Sequence, residues 1–217
     1  MTAPEPEIVQ ALQEEIIFGR LRPGTRLVED ALLARFGVSR HYVRQALDRL
    51  ERLGLAVGER NKGFTVRSLS PVEVEQIYEV RELVQRQAAL RIPLPAPPDL
   101  IEVLNTINAE FAGYMEARDL RGVHDANDRF HLRLFGACGN DHLLSTIRHY
   151  MRLSLPVRAK TLADADSLRI SYEQHRLMIQ MLHGRDNWVI AQLCVDHLQP
   201  SKTEYLTRAD LRDTCAA

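Results

Sequence analysis

The sequence predicts a mainly α fold in two parts: three short helices closed by a small β-hairpin, then an all-α bundle of about six helices. Three observations carry this prediction. Apolar residues recur at helical spacing along most of the chain, strand-like runs are confined to the stretch around residue 60, and SLSP (68–71) supplies a helix cap and a proline between the two parts. With 217 residues there is material for two modest cores, assigned to residues 1–69 and 70–217.

In the first part, Ile8, Leu12, Ile16 and Ile17 mark a helix from Ile8 to Arg20, ended by Pro23 and Gly24. A second helix is expected over Glu29 to Phe36 with Leu32, Leu33 and Phe36 inward, and Gly37 stands where a left-handed C-terminal cap belongs. Ser39 is then placed to cap a third helix with its hydroxyl; Val43, Ala46, Leu47, Leu50 and Leu53 form the buried stripe, and Arg40, His41, Arg44, Gln45 and Asp48 the opposite face. LAVGER, the turn Asn61-Lys62-Gly63 and FTVRS read as a two-stranded hairpin. In the second part, helices are expected over about 72–92, 98–117, 119–136, 140–157, 166–183 and 187–209, separated by PLPAPP, Arg118-Asp119, GACGN, residues 163–167 and HGRDN.

The composition, 45% hydrophobic and 26% charged, is that of a globular protein, and no apolar run approaches the roughly 18–20 residues that cross a bilayer. MTAPEPEIVQ has no basic region followed by an apolar core, and Cys138, Cys194 and Cys215 are odd in number and widely spaced; both features point to the cytoplasm. The net charge of −1 hides an uneven distribution. Residues 8–70 carry 11 Lys/Arg against 7 Asp/Glu, whereas residues 71–217 carry 17 against 20, so a polyanionic partner is expected for the first part alone.

A short turn, GVS, before a helix with a basic first turn is what a helix-turn-helix uses to put a helix N-terminus into the major groove. Arginine there can pair with guanine, Ser, His and Tyr can reach phosphates or bases, and the wing turn with Lys62 and Gly63 can approach the backbone or the minor groove beside it. The stretch IIFGRLRPGTRLVEDALLARFGVSRHYVRQALDRLERLGLAVGERNKGFTV resembles the winged helix-turn-helix of GntR-type bacterial transcription regulators. That resemblance implies double-stranded operator DNA as partner, with Ser39, Arg40, Arg44 and the wing around Gly63 at the DNA. Two departures stand out: His41 and Tyr42 replace a common Thr-Pro, and Asp30 stands where some fatty-acid-responsive members carry arginine. The expected DNA-binding set is Ser39, Arg40, His41, Tyr42, Arg44, Lys62 and Gly63.

The histidines of the second part are read together. Asn127 and Asp128 lie four and three residues before His131, so each can share its helix face; His131 alone either packs or binds. His175 lies 10 residues before Arg185 and His197 lies 12 after it, which in a helical hairpin puts them within about 3 Å of the same height. Three imidazoles from three helices can then meet in a bundle core. NDRFH…ACGN, YEQHRLMIQMLHGRD and AQLCVDHL resemble the FCD effector-binding domain of the FadR subfamily. The resemblance implies a divalent cation, zinc or nickel in many members, held by position 127, His131, His175 and His197, with an organic acid bound over it.

Here position 127 is Asn, a weaker and neutral donor than a carboxylate, so metal affinity is expected to fall and harder cations such as manganese to gain relative to zinc or nickel. The other reading is a polar pocket that binds effector without metal. A cationic centre calls for an anion, so a small carboxylate effector is expected, with Arg81 as its clamp, or else as a surface arginine paired to an acid, and His124 behind the ligands. The functional reading is a homodimeric transcription regulator on a pseudo-palindromic operator. The competing readings are a metal-dependent enzyme acting on a small organic acid, opposed by the absence of HExxH, paired ExxH or a phosphate loop, and an architectural DNA-binding protein without ligand.

Overall fold

A computed structural model describes residues 4–60, 62–161 and 164–216, and the chain divides into two compact units, Met1–Ser70 and Pro71–Ala217. Asn61 of the expected wing turn, part of the expected 163–167 break and the extreme ends of both expected domains lie outside the described residues.

The first unit runs α1 (Pro4–Ile17), β1 (Arg26–Leu27), α2 (Glu29–Phe36), α3 (Arg40–Arg52), β2 (Ala56–Glu59) and β3 (Gly63–Val66). The first helix starts four residues before its first apolar marker, because prolines are tolerated in a first turn and Glu5 and Glu7 favour its positive end. Leu12, Leu32, Val43, Ala46, Leu47, Leu50, Leu55 and Val66 make the core. Leu53, expected in that stripe, is instead the half-buried C-cap of α3, and Leu55 takes the inner position. Gly37 adopts φ 64° and returns its N–H to Leu33 O, which ends α2 and aims the chain into α3. Ser39 is the N-cap of α3, but its side chain makes no capping hydrogen bond, contrary to expectation.

The sheet has three strands in the order β1-β3-β2, not two. Arg26 pairs with Thr65 and Leu27 with Phe64, so β3 is central and antiparallel to both neighbours. The two-residue β1 is too short to show alternation in sequence.

The second unit comprises α4 (Pro71–Ala89), α5 (Pro98–Ala117), α6 (Leu120–Gly136), α7 (Asp141–Leu153), α8 (Leu155–Thr161), α9 (Ala165–Met181), α10 (Asn187–Asp196) and α11 (Gln199–Ala216). It is all-helical as expected, but two of the six expected spans are each split. Pro156 and Pro200 lack an N–H and cannot extend the hydrogen-bond ladder of the preceding helix, yet each is tolerated in the first turn of a new one, so the spans 140–157 and 187–209 break at Ser154 and at His197-Leu198. Ser154 Oγ donates to the carbonyls of Tyr150 and Met151 and closes the end of α7. Asp119, Asn140, Asp164 and Asp186 cap the helices that follow them. Phe111, Phe130, Leu134, Phe135, Ile147, Met178 and Ile190 lie in the core around which these helices pack.

Candidate functional site

Two sets of residues stand out, one in each unit. In the first, the amphipathic α3 buries Val43, Ala46, Leu47 and Leu50, so its other face carries Arg40, His41, Arg44, Gln45 and Asp48 to the surface. Ser39, Arg40, His41 and Arg44 are exposed, and Tyr42 is half-buried with its ring 5.6 Å from that of His41. At the wing, Gly63 adopts φ 83°, Lys62 pairs with Glu59 at 2.7 Å, and Arg26 Nη2 donates to Lys62 O at 3.0 Å. The pair with Lys62 lowers the Glu59 carboxyl below its ordinary value. Arg26, unremarked in the sequence, thus fixes the wing tip from β1. Arg40 donates to Asp30 and Glu29, and Arg44 Nε to Glu29, so α2 supplies carboxylates to both arginines.

In the second unit, α6 supplies Asn127 and His131, α9 supplies His175, and the break after α10 supplies His197. His131 Nε2 lies 3.1 Å from His197 Nε2 and 3.3 Å from His175 Nε2. His175 is stacked on Phe130, ring centroids 4.0 Å apart, which fixes its plane. Its Nδ1 faces Asn108 Oδ1 at 3.2 Å, and His197 Nδ1 faces Gln174 Oε1 at 2.6 Å. An amide oxygen only accepts, so both Nδ1 atoms carry the proton and both Nε2 atoms present lone pairs. One His131 proton cannot satisfy two converging lone pairs as well as its own unpartnered Nδ1.

Burial pushes His131 and His175 well below the usual histidine range, reinforced at His131 by His197, His175, Arg158 and Arg81, and at His175 by His197. Burial, then Arg81 and Arg158, brings His197 down to about 4. Three neutral imidazoles with convergent nitrogens suit a divalent cation: ligand bonds of about 2.0–2.1 Å imply nitrogen separations near 3 Å. The residues present therefore fit the metal group expected from sequence, and the cation would act as a fixed positive charge and Lewis acid.

His131 and His197 line a cavity of about 40 Å³ together with Arg81, Asn127, Arg158 and Ser171. That space admits a few water-sized groups. Arg81 is buried against the Tyr78 ring, its Nε and Nη1 without partners. Burial lowers its guanidinium to about 10 against the pull of Tyr78, with Arg158 adding repulsion and Asp128 attraction. Arg158, missed in the sequence, donates to Asp128 at 2.8 Å and to Met151 O, leaving Nε unpartnered. Such buried cationic donors call for an anion.

Asp128 is thus committed to Arg158 and not to the histidine cluster. Burial raises its carboxyl, but Arg158, His124 and Asn127 together outweigh this and leave it below its ordinary value. Asn127 donates Nδ2 to Asp128 at 3.3 Å while lining the histidine cavity. His124, expected near the effector, lies elsewhere: it lines a separate surface groove with Glu110, Tyr114 and Asp125 and contacts Asp125 at 3.2 Å. His124 Nε2 lies 3.8 Å from Asp128, with which it lines the groove, whereas His131 lines the other cavity, so a shared helix face does not give a shared cavity. Asn108 was also missed in the sequence, although a polar residue in the stripe Leu104, Ile107, Phe111 of α5 is a signal that could have found it. Arg158 follows no such pattern.

Two family descriptions match the chain: "Bacterial regulatory proteins, gntR family" over residues 4–66 and "FCD domain" over residues 76–200. The chain belongs to the GntR family of transcription regulators with an FCD domain. It is 32% identical over 181 residues to the Nta operon transcriptional regulator of Aminobacter aminovorans, covering 82% of this chain and 83% of that protein. It is 24% identical to the HTH-type transcriptional repressor GlaR of Escherichia coli K12, covering 86% and 89% of the two chains. E. coli McbR/YncC has the same fold at a TM-score of 0.71 and 20% identity, with 98% and 99% coverage. This GntR chain is a DNA-binding transcription regulator, and the enzyme reading is set aside because its relatives are named as regulators. Among the described residues, no helix is long and apolar enough to cross a membrane.

Proposed function

We propose that this regulator acts in the cytoplasm as a homodimer that binds a pseudo-palindromic operator, with Ser39, Arg40, His41, Tyr42 and Arg44 in the major groove and Lys62 and Gly63 at the backbone. A second copy is required physically because one short helix reads too few bases for genomic specificity. In the FCD unit, His131, His175 and His197 hold a divalent cation, zinc or nickel first and manganese if Asn127 contributes its oxygen. A small carboxylate effector would be held in the cavity beside them by Arg81, with Arg158 as the second basic group and the cation as a further positive charge; its binding changes operator affinity. His124 stands outside this ligand set.

One observation carries the ligand assignment: three imidazole nitrogens converge beside a buried arginine, Arg81, whose Nε and Nη1 have no acceptor. Thermal unfolding of chelator-stripped protein, with zinc, nickel or manganese and then a panel of small carboxylates, tests it. Metal is expected to raise the midpoint, and a carboxylate to raise it further only when metal is present. A carboxylate shift that survives chelation would favour the metal-free pocket, and no shift with any metal would refute the cation site. Footprinting should show a two-fold protected site; equal binding to every DNA sequence would refute the operator assignment.

A further inference from the structure

The two arginines at the start of α3 are held by α2 in different ways. Arg44 donates only Nε to Glu29, at 3.2 and 3.1 Å to the two carboxylate oxygens, and its terminal nitrogens have no partner among the described residues. Arg40 has its terminal fork occupied: Nη2 lies 2.6 Å from Asp30 Oδ1 and Nη1 lies 3.4 Å from Glu29 Oε2. The carboxylates differ as well, since the Glu29 side chain is 22% exposed and that of Asp30 is 75% exposed. A guanine edge takes two donors from the planar end of arginine, so Arg44 is free to read one while still bonded to Glu29. Arg40 must leave Asp30 before it can reach a phosphate.

We propose that Glu29 is a positioning residue that presents the terminal fork of Arg44 to a guanine edge, and that Asp30 is an intramolecular competitor that holds Arg40 back from DNA phosphates. The inference rests on the reading that α3 enters the major groove. Anchoring Nε restricts a long, rotamer-rich side chain before binding, which lowers the ordering cost of the base contact and sharpens discrimination. The Asp30 pair must be given up on any DNA, so it weakens binding to all sequences alike. Both acids also lie in the first turn of α2, where they favour the helix dipole; that role alone changes stability and leaves discrimination untouched.

The test uses the full-length chain, the operator that the wild-type protein selects from a random DNA pool, and a scrambled duplex of equal composition at fixed salt. Glu29→Ala should lower the ratio of operator to scrambled affinity about tenfold, within what one bidentate contact supplies. Glu29→Gln keeps an acceptor for Nε and should retain most of the ratio, and it also serves as the readout if Glu29→Ala does not fold. Asp30→Asn should strengthen binding to both duplexes by the same factor, about two- to fivefold, the size of an exposed ion pair. That gain should vanish in the Arg40→Ala background. An unchanged ratio in Glu29→Ala, or a ratio lost as fully in Glu29→Gln as in Glu29→Ala, would overturn the positioning role. A gain that persists without Arg40 would overturn the competitor. Failure of the wild-type protein to select any operator would instead overturn the major-groove reading beneath the inference.

Discussion

Asn127 shows what one residue sets in this site. Its amide donates to Asp128, whose carboxylate is already committed to Arg158, so the neutral side chain lets the two stand side by side. Asn127→Asp would place like charges about 3.3 Å apart, and is expected to lower the melting point of chelated protein while enlarging the increase given by zinc, because the new carboxylate is a stronger ligand. Unfolding scans with zinc and with chelator measure both changes. Arg81→Ala should abolish the carboxylate-dependent shift while leaving the metal-dependent one, again read by thermal unfolding. The histidines add a pH dependence. His197 falls from 6.5 to about 4 in the folded, metal-free chain, so the unfolded state binds the proton first as pH drops. The stability from keeping this ring neutral is fully present above about 6.5 and is lost progressively as pH falls towards 4, which denaturant titrations at pH 7 and pH 5 will show. At this scale spacing in the sequence revealed His131, His175 and His197, whereas Asn108 went unnamed although a polar residue in an apolar stripe is a readable signal. Arg158 was hidden because its value comes from a partner 30 residues away, Asp128.

At the scale of elements, helical periodicity identified where the chain is helical, but local chemistry decided where each helix stops. The prolines at 156 and 200 divide two apparently continuous spans, and the second division puts His197 at a helix end, its Nδ1 held by Gln174. β1 escaped notice because two residues cannot display a period, although its Arg26 braces the wing. The α5–α6 junction depends on a close approach: a Cβ at Gly122 would collide with the Tyr114 ring. Gly122→Ala should therefore destabilise the chain by about 1–3 kcal/mol, measured by denaturant unfolding, since overpacking forces the ring or the helix to move. Tyr114 lies in α5, so no local pattern around Gly122 announces this constraint.

For the whole molecule, the proposed regulation is a coupling between effector in the FCD unit and operator at the winged helix. Linkage requires that any factor by which a carboxylate changes operator affinity equals the factor by which operator changes carboxylate affinity. With metal-loaded protein this factor should be about fivefold or more in both directions, read by fluorescence anisotropy and by calorimetry. That regulation rests on a cation held at the histidine cluster, so metal content is the most direct test. After loading with zinc or nickel and gel filtration, elemental analysis should find one divalent ion per wild-type chain and none above background in His175→Ala. Equal metal in the two proteins, or none in the wild type, would contradict it.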